Sequence, residues 1–224
     1  MISKVNYVNV RQFGGMTMKV LLINGSPNKE GCTYNALNHV AKALNDRSVE
    51  TEIIYAGSSK VGGCMSCGGC NKTGKCVYDD AVNLVIEKAK EADGFIFGTP
   101  VHYASPSGSM ISFMDRLFYA GGARLKFKPA SIVISTRRAG ATAAFDVMLK
   151  YPTINQMPVV SADYWPMVHG HSAPSDVFLD AEGIHTMESI ARNMAWMLKC
   201  IDAGKQVGIE PEVVDKMVWT HFIR

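Results

Sequence analysis

The sequence predicts an α/β fold in which a mostly parallel sheet is covered by helices on both faces. Short apolar runs alternate with helix-period segments five times along the 224 residues, and this alternation is typical of parallel sheets. The first run, residues 20–23, is apolar at every position, as in strands buried on both faces. Three layers are therefore expected: helices, sheet, helices.

Composition indicates one folded domain, because 47% hydrophobic residues in a chain of this length can bury a full core. We assign residues 18–207 to that domain and 208–224 to a C-terminal extension. Residues 1–17 are interpreted as an N-terminal arm, an added edge strand, or sequence upstream of the functional start.

Charge and hydropathy exclude two classes of partner. The net charge of +3 comes from 23 basic and 20 acidic residues spread along the chain, so we expect no nucleic-acid partner. No apolar run approaches the roughly 20 residues of a membrane span, and the N-terminus lacks the apolar segment of a signal peptide. We therefore expect no membrane partner and a cytoplasmic location.

The strands are predicted from apolar runs. Residues 49–55 alternate and then become apolar, as a strand near a sheet edge does. Polar loops, at 99–107 and 165–171 among others, separate the later runs. The predicted strands are residues 20–23, 49–55, 94–98, 131–135 and 157–161.

Helix boundaries are predicted from capping residues and glycines. Thr33 is expected to cap the first helix and Asp79 and Asp80 a second, and Asp180 is expected to start the long final helix. A stripe of Met and Phe between residues 110 and 118 predicts another helix, which the pair Gly121–Gly122 is expected to end.

The loop after the first strand predicts an anion site. It contains Ser26, Asn28, Gly31 and Thr33 and leads into a helix N-terminus, where free N–H groups and the helix dipole favour negative charge. It lacks the Gly-x-Gly-x-x-Gly and Gly-Lys-Ser/Thr patterns of nucleotide sites, so a monophosphate fits it better. The alternative is an ordinary strand-to-helix turn.

The segment NGSPNKEGCTY, residues 24–34, resembles the phosphate loop of the flavodoxin-like FMN reductases. That family usually has Asn where this chain has Cys32. The resemblance extends over about residues 18–200 and implies a flavodoxin-like three-layer α/β/α sandwich. Its five-stranded parallel sheet would have the order 2-1-3-4-5, with a ligand crevice between the ends of the first and third strands.

The resemblance also implies FMN as the cofactor. Its phosphate would lie on the first loop, and its ring between the loops after the third and fourth strands. The aromatic residues of the second loop could instead be packing residues, and the arginine pair of the third could be a solvated pair. The candidate cofactor residues are Ser26, Asn28, Gly31, Cys32, Thr33, Pro100, Val101, His102, Tyr103, Ser135, Arg137, Arg138 and Gly140.

Four cysteines, Cys64, Cys67, Cys70 and Cys76, form the pattern C-x2-C-x2-C-x5-C in a glycine-rich segment. Convergence of four sulfurs normally needs a metal, and this spacing favours a four-iron, four-sulfur cluster over zinc. The segment also resembles the cysteine motif of the iron-sulfur flavoproteins, a branch of the same superfamily. Dithiol redox chemistry and an inert loop remain alternatives.

The resemblance implies an FMN-dependent oxidoreductase that accepts electrons from NAD(P)H. It would pass them to a quinone, a nitro compound, a metal ion or an iron-sulfur cluster. The alternatives are a non-enzymatic flavin and iron-sulfur electron carrier and a metal-stabilised redox sensor. The expected partners are a small-molecule electron acceptor or a redox protein, and the family implies a homodimer or homotetramer.

Overall fold

A computed structural model describes residues 17–57, 61–212, 218 and 220–222. The predicted N-terminal arm lies outside the described residues except for its last residue. The elements are β1 (Met18–Asn24), α1 (Cys32–Asn45), β2 (Val49–Tyr55), α2 (Cys70–Thr73), α3 (Ala81–Lys88), β3 (Gly94–His102), β4 (Ser105–Pro106), α4 (Gly108–Leu125), β5 (Ala130–Thr136), α5 (Ala141–Ile154), β6 (Met167–His169), a 3-10 helix (Pro174–Leu179) and α6 (Ala181–Gln206).

Five parallel strands form the sheet in the order β2-β1-β3-β5-β6. This is the predicted order 2-1-3-4-5, because the two-residue β4 pairs antiparallel with β3 and stands outside the parallel series. The central β1 pairs on both sides: Leu22 is opposite Ile53 of β2 and Ile96 of β3. The flavodoxin-like prediction is confirmed.

Alternate residues of β1 pack into two separate cores, as the two-residue period of a strand requires. Leu21 and Ile23 join the cluster under α3, α4 and α5, whereas Val20 and Leu22 join the one under α1 and α6. All four side chains are fully buried, and each such burial stabilises the fold by roughly 1.5–3 kcal/mol. The helices therefore cover both faces of the sheet.

The fifth strand was predicted in the wrong place. Residues 157–161 make one isolated parallel bridge, between Val159 and Ala130, and the fifth strand is β6, in the segment expected to be a loop. Pro158 has no N–H to extend the pairing, and only its carbonyl accepts, from Ala130 N. The chain leaves the sheet and returns at Pro166, whose carbonyl accepts from Ile134 N.

The C-terminal end of α4 also differs from the prediction. Gly121 and Gly122 do not end α4, which continues to Leu125. A Cβ on Gly121 would come within 2.6 Å of Ile86 Cγ1 on α3, so this glycine permits close helix packing instead. Asp80 and Asp180 cap α3 and α6 as predicted, each accepting from a backbone N–H in the first turn. In the described part of the chain, no helix combines the length and apolar character needed to cross a membrane.

Candidate flavin site and cysteine cavity

The loop between β1 and α1, here called the phosphate loop (residues 25–31), is held in shape by Asn24. This residue is almost fully buried. Its side-chain nitrogen donates to Lys29 O at 2.9 Å, and its side-chain oxygen accepts from Ser26 N at 3.1 Å. The Gly25 N–H donates to Gly98 O of β3 at 2.8 Å. The predicted site did not include Asn24, although its amide fixes the curvature of the loop.

The N-terminus of α1 has no side-chain cap. Gly31 occupies the N-cap position, so the expected capping role of Thr33 is wrong. Thr33 lies in the first turn instead, with its Oγ1 2.7 Å from Ser135 Oγ. Intrahelical bonding starts at Asn35, whose N–H donates to Gly31 O. The first N–H groups of the helix are therefore available to an anion, and the helix dipole favours one there.

Cys32 directs its thiol away from the phosphate loop. The sulfur donates to Ala173 O at 3.6 Å, and a Cβ on Gly170 would lie 2.9 Å from it. Burial raises the pKa of the Cys32 thiol, and the nearby Asp176 carboxylate raises it further. Cys32 is the first residue of α1, so its backbone N–H is one of those without an intrahelical partner.

The second candidate segment is a β-hairpin rather than the predicted loop. β3 continues through Pro100 and Val101 to His102, and β4 folds back so that His102 is opposite Ser105. Tyr103 occupies the turn with a positive φ of 56° and a fully exposed side chain. A non-glycine residue in this conformation is strained, and such strain is concentrated at functional sites.

Ser107 joins this hairpin to the phosphate loop. Its N–H donates to Thr99 Oγ1 at 3.0 Å, and its hydroxyl donates to Gly25 O at 2.7 Å. The same hydroxyl accepts from Met110 N and caps α4. A Cβ on Gly25 would lie 2.3 Å from Met110 Sδ, which explains why a glycine is present. Neither Thr99 nor Ser107 was among the predicted cofactor residues.

The third segment, residues 135–140, covers the end of β5 and the turn into α5. Ser135 is buried, whereas Arg137 and Arg138 are exposed. Gly140 has a φ of 89°, and a Cβ there would lie 2.9 Å from Val101 Cγ1 and 3.0 Å from Tyr103 O. The third segment thus packs directly on the hairpin, and Ser135 contacts Thr33 in the first turn of α1. The three predicted segments meet at one edge of the sheet.

The cysteine-rich segment forms a second site. A cavity of about 230 Å³, here called the cysteine cavity, is lined by all four cysteines together with Tyr78, Arg116 and Tyr119 among others. Cys64 and Cys67 are exposed, and Cys70 and Cys76 are half-buried. In residues 61–212 and the other described ranges, no three His, Cys, Asp or Glu side chains lie close enough together to hold a metal ion. The predicted convergence of the sulfurs is therefore not present.

Arg116 of α4 is the largest fully buried side chain at this cavity, with 1% of its surface exposed. Its Nη1 and Nη2 donate to the two carboxylate oxygens of Asp80 at 2.7 and 2.9 Å, and its Nε donates to Cys76 Sγ at 3.2 Å. Burial acts to lower the pKa of Arg116, but Asp80 and Cys76 outweigh it and raise the pKa. No sequence motif marks this arginine.

The cysteine cavity has the type of side chain that iron-sulfur clusters use as ligands, but the four sulfurs do not converge. Four thiols line one space, and the buried guanidinium of Arg116 lies beside them. The segment around Cys64 and Cys67 carries no helix or strand, so its side chains are not fixed by a backbone ladder. Among the described residues, the side chains that line the cavity therefore do not form a coordination group.

Comparison with known proteins finds matches over most of this chain. A family model described as NADPH-dependent FMN reductase matches residues 18–172. An iron-sulfur flavoprotein of Methanocaldococcus jannaschii is 31% identical over 192 residues, which cover 82% of this chain and 99% of that protein.

Two solved structures share the fold. RosB with a bound 8-demethyl-8-formylriboflavin-5'-phosphate intermediate has a TM-score of 0.63 at 14% identity, with 92% of this chain and 94% of that chain covered. An apo NADH:FMN oxidoreductase has a TM-score of 0.59 at 18% identity, with coverages of 81% and 90%. The family model and the archaeal relative show that this chain belongs to the NADPH-dependent FMN reductase family, in its iron-sulfur flavoprotein branch.

Proposed function

We propose that the chain binds FMN at the ends of β1, β3 and β5 and oxidises NAD(P)H, passing the electrons to an acceptor. The acceptor is a quinone, a nitro compound, a metal ion or an iron-sulfur cluster in the cysteine cavity. The observation that carries this proposal is the uncapped N-terminus of α1 beside the paired hydroxyls of Thr33 and Ser135. This helix N-terminus lies at the position in the strand order where doubly wound sheets bind ligands.

Different residues around this position would bind the phosphate and the ring of FMN. Ser26, Asn28 and the first turn of α1 supply donors for a phosphate. The hairpin residues Pro100 to Tyr103 form one wall for a ring, and Ser135 with Gly140 forms the other. FMN supplies the redox chemistry when bound, and the chain holds and orients it. The hydrogen bonds of Ser107 with Thr99 and Gly25 hold the hairpin wall against the phosphate loop.

The cysteine cavity is proposed as the site of a cluster that exchanges electrons with the flavin. The flavin site and the cavity share one helix: Ser107 caps α4, and Arg116 lies nine residues later, which is about 14 Å along a helix axis. The donor set and the iron-sulfur name of the archaeal relative support this part of the proposal. Zinc and dithiol chemistry are the competing uses of the same four cysteines.

A second function, a carrier of electrons between proteins, is favoured by the openness of the cavity. Cys64, Cys67 and Tyr119 are exposed in the described chain, so a redox protein could approach the cluster directly.

We also propose a homodimer or homotetramer, which light scattering of the purified protein would measure.

Anaerobic stopped-flow spectroscopy separates the two functions. For an enzyme, NADPH or NADH should bleach the flavin absorbance rapidly, and a quinone or nitro compound should restore it over many cycles. For a carrier, dithionite should bleach the flavin while both nicotinamides fail to do so. Bleaching by neither nicotinamide, with flavin present, would therefore contradict the oxidoreductase.

A further inference from the structure

We propose that Cys64 and Cys67 are a site of reversible modification by small anionic disulfides, of which glutathione disulfide is an example. The sulfur of either cysteine attacks one sulfur of the disulfide, so that a mixed disulfide forms and a small thiol leaves with the proton of the cysteine. The cysteine sulfur is oxidised and the leaving sulfur is reduced. This inference concerns the cysteines as free thiols, which is how the structure describes them, and it does not rest on the flavin site.

The first half of the cysteine-rich segment, residues 61–80, presents these two thiols to solvent. Cys64 and Cys67 are both exposed. Within the described part of the chain, residues 63–67 make no hydrogen bond and belong to no helix or strand. Ser66 between the two cysteines has a φ of 54°, a left-handed conformation that strains a non-glycine residue. Backbone contacts therefore do not restrict the approach of a reagent to either sulfur.

The second half of the segment holds its two cysteines more firmly. Asn83 of α3 accepts from Cys76 N at 2.8 Å and donates to Cys76 O at 2.9 Å. The sulfur of Cys76 accepts from Arg116 Nε at 3.2 Å, and Arg116 is itself fixed by both oxygens of Asp80. Cys70 and Cys76 are half-buried. Because thiol–disulfide exchange depends on access to the attacking sulfur, we expect these two cysteines to react more slowly.

The surroundings of the exposed thiols favour an anionic reagent. The side chains that line the cysteine cavity include the cation Arg116 and no carboxylate, and Lys72 and Lys75 are exposed on the same segment. A cleft lined by one sign of charge raises the local concentration of molecules with the opposite sign. The cavity of about 230 Å³ also gives an attached small thiol room beside the two sulfurs. A disulfide that carries carboxylates is therefore preferred over a cationic one.

Most of the carboxylates near the segment are offset by basic side chains. Asp80 pairs with Arg116, and Glu87 of α3 lies among three basic side chains. Asp79 is exposed, but it lies at the C-terminal end of the segment, outside the cavity lining. The positive charge of the lysines is therefore not cancelled at the cavity.

The rate of thiolation at each cysteine tests the inference. Wild-type protein as isolated is treated with glutathione disulfide, which is anionic, and in parallel with cystamine, which is a cationic disulfide. Peptide mass spectrometry follows each cysteine. Cys200 is the internal reference, because it is exposed on α6 and has Asp202 two residues away. We expect glutathione disulfide to modify Cys64 and Cys67 about tenfold faster than Cys200 at low salt, and cystamine to show no such preference. In about 1 M salt, where the Debye length is about 3 Å, the preference should disappear.

A charge variant tests the electrostatic part of the inference. Replacing Lys72 and Lys75 together by Gln should remove most of the preference for glutathione disulfide. The matched control replaces Lys42 of α1 and Lys150 of α5 by Gln, since both are exposed and neither lines the cavity. The control changes the net charge equally and should keep the wild-type preference.

Equal rates at Cys64, Cys67 and Cys200 would overturn the inference, and so would faster reaction of Cys70 or Cys76. Iron is assayed in the same preparation. Bound iron together with unreactive cysteines in the segment would also overturn the inference, and would support the proposed cluster instead. A preference that is the same in the two lysine variants would contradict steering by charge.

Discussion

The hydroxyl of Thr33 lies 2.7 Å from the hydroxyl of Ser135, across 102 residues of sequence. Both side chains are buried, one in the first turn of α1 and the other near the end of β5. One hydroxyl donates to the other, so the second retains a hydrogen for another acceptor. In the proposed site that acceptor is the FMN phosphate.

Replacing Thr33 by Val tests this arrangement, because Val keeps the shape of the side chain and removes its hydroxyl. A hydrogen bond to a charged group contributes about 1.5–3 kcal/mol, so FMN affinity should fall roughly 10- to 150-fold. Quenching of flavin fluorescence in a titration measures the dissociation constant.

Riboflavin is the internal control for Thr33→Val, because it has the same ring without the phosphate. We expect the variant to bind riboflavin as the wild type does, and Thr51→Val on the distant β2 to bind FMN normally. Equal losses for FMN and riboflavin would show that Thr33 does not act on the phosphate.

Gly140→Ala should separate the third segment from the hairpin. A left-handed conformation costs a non-glycine residue about 1–2 kcal/mol, and the new methyl group would also contact Val101 Cγ1 at 2.9 Å. Gly208→Ala is the matched control, since Gly208 has a φ of 80° with no atom within 4 Å of its Cβ position.

Urea unfolding and FMN titration compare these two glycine variants. Backbone strain should lower the free energy of unfolding of both variants. Gly140→Ala should show the larger decrease and should also bind FMN more weakly. Gly140→Ala with the stability of Gly208→Ala and normal FMN affinity would contradict the close packing of the two segments.

Arg137 and Arg138 are exposed on the third segment, next to the proposed ring site. We expect them to bind the additional phosphate of NADPH, because guanidinium groups match phosphate geometry. Replacing both with Ala should therefore raise the KM for NADPH more than that for NADH in steady-state assays. Equal effects on the two donors would indicate a solvated charge pair.

Asp180 should make the stability of the fold depend on pH. Burial acts to raise the pKa of this carboxyl, but N–H donors from Gly183 and His169 outweigh it and lower the pKa. Asp180 therefore makes its full contribution to the free energy of unfolding above its unfolded pKa of about 3.9. This contribution is lost as the pH falls through the lower pKa of the folded state.

Urea unfolding between pH 7 and pH 3 measures this contribution. Asp180→Ala should cost about 0.5–2 kcal/mol at pH 7 through loss of the α6 cap, and the difference from wild type should narrow toward pH 3. Asp180→Asn keeps a capping oxygen and should lose less. A difference that stays constant over this range would contradict a charged cap.

Much of the fold follows from local chemistry that the sequence displays. β2 has the predicted bounds, and β1 and β5 extend the predicted runs by one or two residues at either end. Asp80 and Asp180 cap their helices. Their position before a segment of helical apolar spacing indicates this role. These features depend on neighbouring residues alone.

The errors concern features that depend on distant contacts. Gly121 looks like a helix stop, but its role is set by Ile86 of another helix. The strand β6 has only three residues, which is too short for a pattern of alternating apolar residues. It is defined by its pairing with Ile134, Ser135 and Thr136 of β5. Arg116 carries no motif, since its partners Gly62, Cys76 and Asp80 come from a separate segment.

We propose that one chain holds FMN at the strand ends and an iron-sulfur cluster in the cysteine cavity. The most direct test of this proposal is the flavin, iron, sulfide and zinc content of anaerobically prepared wild type, Cys67→Ala and Cys200→Ala. Cys200 is exposed on α6 and does not line the cavity, so it serves as the matched control. We expect wild type and Cys200→Ala to contain stoichiometric FMN with iron and sulfide, and Cys67→Ala to retain FMN while losing the iron. A wild-type protein with FMN but without iron would contradict the cluster, and one that binds no flavin would contradict the site at the strand ends.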